Sequence, residues 1–195
     1  MSNVSSAQRE AILKALKERR TVGRVKKDEV PKALIEQLID AASYAPSHYN
    51  TQPWKFIVMT GEGRSVLGEG YAKVHQATTG ESDAEKLEKE AKKAFRAPVV
   101  IAAICSPSED PRAIIEEEMA ATHAAVQNLL LAAHALELGA IWRSGAPLYH
   151  PVMHEHFQLS DKEKLVGLVY VGYPELVPAV PTRRSVADVT TWVEA

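Results

Sequence analysis

The 195-residue chain has one cysteine, Cys105, so no disulfide can close within it and a thiolate metal cluster lacks ligands. Cys105 ends the apolar run "APVVIAAICS", which predicts a buried, inert thiol rather than a nucleophile. The chain also lacks a strong charge of either sign: its net charge is −2, which gives no basic surplus for nucleic acid or an anionic membrane. No apolar stretch reaches transmembrane length, because "MAATHAAVQNLLLAAHAL" is interrupted by His123, Gln127, Asn128 and His134. The start "MSNVSSAQRE" has no apolar core of a signal peptide, so the cytoplasm is the expected location. Familiar catalytic and nucleotide signatures are missing too. "GEGRSVLGEG" at 61–70 fits neither dinucleotide nor phosphate-loop spacing, and no GxSxG elbow occurs. "HPVMHEH" lacks the order of a zinc-protease helix and reads as a surface helix.

What remains is an ordinary globular composition, 46% apolar and 25% charged, in a length that suits one domain over 1–195. Ala11, Ile12, Ala15 and Leu16 recur at helical spacing in 7–19. A second helix is expected over 28–45, with Asp28 as a candidate cap, Pro31 in its first turn and Pro46 ending it. "WKFIVMT" (54–60), "APVVIAAIC" (97–105) and "KLVGLVYVGYP" (164–174) read as strands. A helix is expected over 64–75, and the charged segment 78–94 reads as an exposed helix or a mobile lid. Residues 113–138 form the longest helical pattern, apolar or small nearly all round in its second half, which predicts burial on most sides. "AIWRSGAP" reads as a short strand or turn, and "YHPVMHEHFQL" as a short helix. The order of elements predicts an α+β layered fold rather than a doubly wound sheet.

Three polar clusters could carry chemistry. "ERRTVGR" (18–24) is either a basic helix end satisfying the dipole or an anion site built from Arg forks. "SYAPSHYNTQPW" (43–54) is either a structural turn with Trp54 capping the core, or a ligand rim in which Asn50 and Gln52 offer donors and acceptors. "GAIWRSGAP" (139–147) is either a tight strand connection with Trp142 in the core, or a place where backbone approaches a flat ligand. Glu116, Glu117 and Glu118 read as a solvated acidic start to the long helix.

The succession "RRTVGRV", "APSHYNTQPWKFIV", "FRAPVVIAAI", "AAVQNLLLAAHALELGAIW", "WRSG" and "VGLVYVGYPE" resembles the nitroreductase family from about residue 10 onward. "FRAP" and "GAIWRSGA" are similar to its small, single-domain YdjA-like group. The resemblance implies an α+β three-layer fold, a mixed, mainly antiparallel sheet flanked by helices, in a domain-swapped style of homodimer with FMN at the subunit interface. It implies NADH or NADPH as a transient electron donor, and a nitroaromatic, quinone or similar electron-poor small molecule as acceptor. No side-chain nucleophile or metal is required. Arg19, Arg20 and Thr21 match the motif for the FMN phosphate and ribityl chain. Tyr44 and His48 occupy positions that contact FMN across the dimer, although Tyr44 replaces an Arg found in that group. Asn50 and Gln52 match loop residues near the flavin, and Trp142, Arg143 and Ser144 match the segment beside its ring system. Arg183 or Arg184 matches a basic residue used on the phosphate. The same fold also hosts dehalogenation and flavin cleavage, and a flavin-binding protein with little turnover is the alternative from another class.

Overall fold

The computed structural model describes residues 4–194. Its elements follow the order read from the sequence: α1 (Ser6–Glu18), α2 (Lys32–Ser43), β1 (Trp54–Thr60), α3 (Ser65–Thr79), α4 (Ala84–Ala91), β2 (Val99–Cys105), α5 (Ile115–Ala135), β3 (Gly139–Arg143), α6 (Pro151–His156) and β4 (Lys164–Gly172). The four strands form one sheet in the order β1-β2-β4-β3, and every pairing within the chain is antiparallel.

Every residue of the central strand β2 is buried, which explains why it reads as an unbroken apolar run. Its alternating side chains feed two cores. Val99, Ile101, Ala103 and Cys105 join Ile35, Leu38 and Ala42 of α2 and Ala125, Val126 and Leu129 of α5. Val100, Ala102 and Ile104 join Leu67 and Val74 of α3 and Met153 of α6. The result is three layers, helix–sheet–helix. Cys105 is fully buried, and burial raises its thiol pKa, as expected of an inert side chain.

The helix starts differ in detail from expectation. Ser5 caps α1 in a reciprocal box with Gln8. Asp28 caps nothing: α2 begins at Lys32, and Pro31 stands just before it with no side-chain cap. The charged segment 78–94 contains the end of α3, a Gly80 turn and α4, whose first turn is capped by Asp83. Helix α4 packs on α3 and leads into a short 3-10 turn, Lys92–Arg96, that returns the chain to β2.

Two parts of the chain are left uncovered. Helix α1 buries none of its residues, and Ile12, Leu13 and Leu16 are each at least half exposed. Residues 175–194 are exposed throughout, although they carry Leu176, Val180, Trp192 and Val193. Both present apolar surface that no element covers among the described residues.

Candidate functional site

The segment after α1 runs along the edge strand β3. The Val22 amide donates to Ala140 O (2.9 Å), and a β-carbon on Gly139 would lie 2.7 Å from Val22 Cγ1, so glycine permits this approach. Farther along, Val25 bridges Pro174, and the Glu175 amide donates to Arg24 O (3.1 Å). Moving back from Val25 through Val22 to Arg19 therefore moves toward the Arg143 end of β3. This brings the first and third polar clusters of the sequence together.

Arg20 fulfils part of its structural role: its guanidinium donates to the carbonyls of Lys17 and Arg19 at the end of α1. Its Nε is buried with no partner. Arg19 has a pKa below the ordinary guanidinium value, first through burial and then through the adjacent charges of Arg20 and Arg183. Among the described residues, Arg19, Arg20 and Arg183 pair with no carboxylate. Three guanidiniums gathered without a counter-charge favour an anion. Arg183 is thus the tail arginine whose charge reaches Arg19; it and the neighbouring Arg184 are both exposed.

Beyond β3 opens a cavity of about 440 Å³, bordered by Tyr71, His75 and Thr78 of α3, Glu90 of α4, Lys93 and Arg96 of the following turn, and Trp142, Arg143 and Ser144. Arg143 lies over the Tyr170 ring, 5.5 Å from its centroid, and its Nε is also buried and unpartnered. The hydroxyls of Tyr71 and Tyr170 meet at 3.1 Å, and burial raises the pKa of both, so each keeps its proton. Lys93 pairs with Glu90, leaving Arg96 and Arg143 as the free cations of this wall among the described residues. Lys93, Arg96 and Tyr71 were not among the expected site residues, although "FRAP" marks the turn that supplies Arg96.

Trp142 borders the same cavity, but its indole packs with the α5-side core, because neighbouring strand residues point to opposite faces. Its Nε1 donates to Val166 O (3.3 Å), and its ring tilts against His123 at 5.7 Å.

The second polar cluster lies elsewhere. The loop after α2 leads into β1, at the opposite edge of the sheet from β3, about three strand spacings or roughly 14 Å away. Trp54 packs on the core as the structural reading predicts, whereas Tyr44, His48, Asn50 and Gln52 are exposed. Tyr49, Asn50 and Gln52 all have left-handed backbone, with φ of 53°, 55° and 51°. His48 stacks on Tyr49 at 4.0 Å, and the Arg112 guanidinium lies over the Tyr49 ring, 4.1 Å from its centroid. The start of α5 fastens the loop: Glu117 meets His48 Nδ1 at 2.6 Å, and Thr51 Oγ1 donates to Glu118 Oε1 at 2.5 Å. The acidic start of α5 is therefore not simply solvated. Glu118 is buried, because the loop folds over it. One protomer brings Arg19, Arg20, Arg143, Ser144 and Arg183 into one region and keeps Tyr44, His48, Asn50 and Gln52 apart from them.

The remaining histidines of the "HPVMHEH" segment are structural. His150 caps α6, His154 meets Glu163 O, and His156 meets Val66 O. No group of three potential metal ligands occurs among the described residues, and no described helix is long and apolar enough to cross a membrane.

Comparison with known proteins gives this geometry a context. A model of the nitroreductase family matches residues 16–173. The "Putative NAD(P)H nitroreductase YdjA" of Escherichia coli (strain K12) is 32% identical over 185 residues, covering 93% of this chain and 97% of that protein. The crystal structure of a nitroreductase-like family protein from Bacillus cereus superposes with a TM-score of 0.82 at 30% identity, covering 100% of both chains. The FMN-dependent nitroreductase NfnB from Mycobacterium smegmatis, solved in complex with NADPH, shares the fold with a TM-score of 0.71 at 19% identity, over 95% of this chain and 99% of that one.

Proposed function

The chain belongs to the nitroreductase family, and on that premise we propose that it is an FMN-dependent oxidoreductase. It takes electrons from NADH or NADPH and delivers them to a nitroaromatic, a quinone or a similar electron-poor small molecule. The observation that carries this reading is the cluster of Arg19, Arg20 and Arg183 without a counter-charge, on the segment that runs along β3 toward the cavity lined by Arg96, Trp142 and Arg143.

The residues present fit FMN. The cofactor combines a phosphate with a flat ring system whose pyrimidine edge carries hydrogen-bond acceptors. Arg19, Arg20 and Arg183 supply guanidinium charge with no carboxylate partner among the described residues, which suits the phosphate. Thr21, exposed beside them, offers a hydroxyl to the ribityl chain. The buried, unpartnered Nε atoms of Arg20 and Arg143 are the kind of orphan that a bound acceptor satisfies. A volume of about 440 Å³ falls within the range of small-molecule sites.

When bound, FMN supplies the two-electron chemistry, accepting hydride from the nicotinamide and passing it to the acceptor in a ping-pong cycle. The protein binds, orients and polarises. Arg143 and Arg96 place positive charge along the cavity wall, which favours the anionic reduced state by fixed electrostatics. Ser144 adds a hydroxyl at the same rim. Tyr71 lines the cavity and keeps its proton, its hydroxyl paired with that of Tyr170 behind it.

A homodimer completes the site in this reading. Tyr44, His48, Asn50 and Gln52 are displayed on an exposed loop far from the guanidinium cluster of their own chain, which suits a role at the partner's cavity. The bare apolar face of α1 and the exposed apolar tail offer the surfaces for such an assembly, the tail in a swapped arrangement. Protein mixed with FMN and passed over a gel-filtration column is expected to carry flavin absorbance, which bleaches anaerobically on addition of NADH or NADPH. Flavin that co-elutes but stays oxidised points to a binding role. Failure to co-elute defeats the proposal.

A further inference from the structure

We propose that Glu118 is a positioning residue: through Thr51 it holds the 47–52 loop in the strained shape that the loop presents to the partner subunit's flavin site. This rests on the function and dimer proposed above.

Glu118 is only 1% exposed, and among the described residues it has no cationic partner. A buried carboxylate persists only where its oxygens are hydrogen-bonded. Here Oε1 accepts from the Thr51 hydroxyl at 2.5 Å, and Oε2 accepts from the Ser108 amide at 2.9 Å. Thr51 stands 67 positions away in sequence, so this is a deliberate cross-link between α5 and the loop rather than a local helix cap.

The loop needs such a restraint. Three non-glycine residues within four positions, Tyr49, Asn50 and Gln52, hold left-handed backbone. Side chains disfavour that region, and it persists only when the surroundings over-determine it. The bonds within the loop are few: the Ser47 hydroxyl accepts from the Gln52 amide at 3.1 Å, and the Asn50 and Thr51 amides donate to Ser47 O and His48 O at 3.1 and 3.3 Å. Glu117 adds a second tie through His48. Strain spent on an exposed loop whose Asn50 and Gln52 side chains bond nothing among the described residues is consistent with a shape required by another subunit's ligand. Glu118 touches no substrate or cofactor in this scheme; it acts through Thr51.

The test compares Thr51→Val with Thr51→Ser in the full-length protein. Valine removes the hydroxyl and leaves the Glu118–Ser108 bond intact, whereas serine keeps the hydroxyl. FMN dissociation constants are read from flavin fluorescence, alongside thermal stability and sedimentation. Thr51→Val is expected to weaken FMN binding about tenfold or more, the loss of one charge-assisted bond. Its melting temperature should fall modestly, because buried Glu118 Oε1 loses its partner, while the protein stays folded and its dimer mass is unchanged; Thr51→Ser should restore both stability and wild-type affinity. Wild-type affinity in Thr51→Val, or a loss of affinity that tracks loss of dimer or fold, overturns the positioning role. A wild-type protein that binds no FMN overturns the function reading itself, and the loop proposal with it, before either variant is made.

Discussion

A β-carbon on Gly167 would lie 1.9 Å from Nε1 of Trp142. The missing side chain in the middle of β4 is the space in which the indole lies, from where it bonds Val166 O and tilts on His123. This contact fixes the end of β3 from which Arg143 and Ser144 project. Gly167→Ala is expected to destabilise the fold by about 1–3 kcal/mol through overpacking. Much of that loss should disappear in a Trp142→Ala background, where the clash is gone, so a double-mutant cycle by urea denaturation checks the pair.

The guanidinium cluster predicts a hierarchy among the arginines. Arg19→Ala is expected to weaken FMN binding by about 1.5–3 kcal/mol, the scale of a hydrogen bond to a charged group. Arg183→Ala should weaken it in the same direction, because Arg183 shares the field of Arg19. Arg184→Ala should change little. Titrations at low and high salt check the assignment, since the affinity lost in the first two variants should shrink as salt screens the phosphate.

The uncovered face of α1 predicts a dimer that one charge can break. Leu13 and Leu16 are half exposed on a helix that buries nothing against its own chain. Leu16→Glu is expected to shift sedimentation toward the monomer. FMN retention should fall with it, because each cavity would lose the loop supplied by the other chain. A Leu16→Glu protein that stays dimeric would place the interface elsewhere.

The order of the elements was legible in the sequence because apolar periodicity is local: β2 shows itself as an unbroken run, and α2 as a stripe. The "RRT" and "WRSG" segments were legible as motifs, and the Val22–Ala140 bond joins the residue that follows the first to the strand that leads into the second. What escaped the sequence is long-range or intermolecular. Glu118 follows the local rule for an acidic helix start, and only the fold shows that Thr51 and Ser108 enclose it. The stripe of α1 was visible, but periodicity does not say which molecule covers it. Trp142 and Arg143 are adjacent in the motif, yet strand alternation turns one to the α5 core and the other to the cavity.

Glu163 offers a prediction in pH. It is buried just before β4, and its carboxylate pKa is held below the usual range chiefly by the Ser160 amide (3.0 Å). Burial opposes that shift, and the Lys55 ammonium (3.1 Å) reinforces it. A carboxyl whose folded-state pKa is depressed contributes its full stabilisation above the unfolded value, near 4.5. That contribution falls away as the pH drops through the lower folded value. Glu163→Gln should therefore cost about 1–2 kcal/mol at neutral pH, with a difference from wild type that stays flat down to about pH 5. Below that the two stability curves should converge, because the wild-type carboxyl becomes protonated and loses the same interactions. Denaturation midpoints measured from pH 7 to pH 3 decide the matter. A gap that persists unchanged into acid would mean that Glu163 acts through packing and neutral hydrogen bonds rather than through its charge.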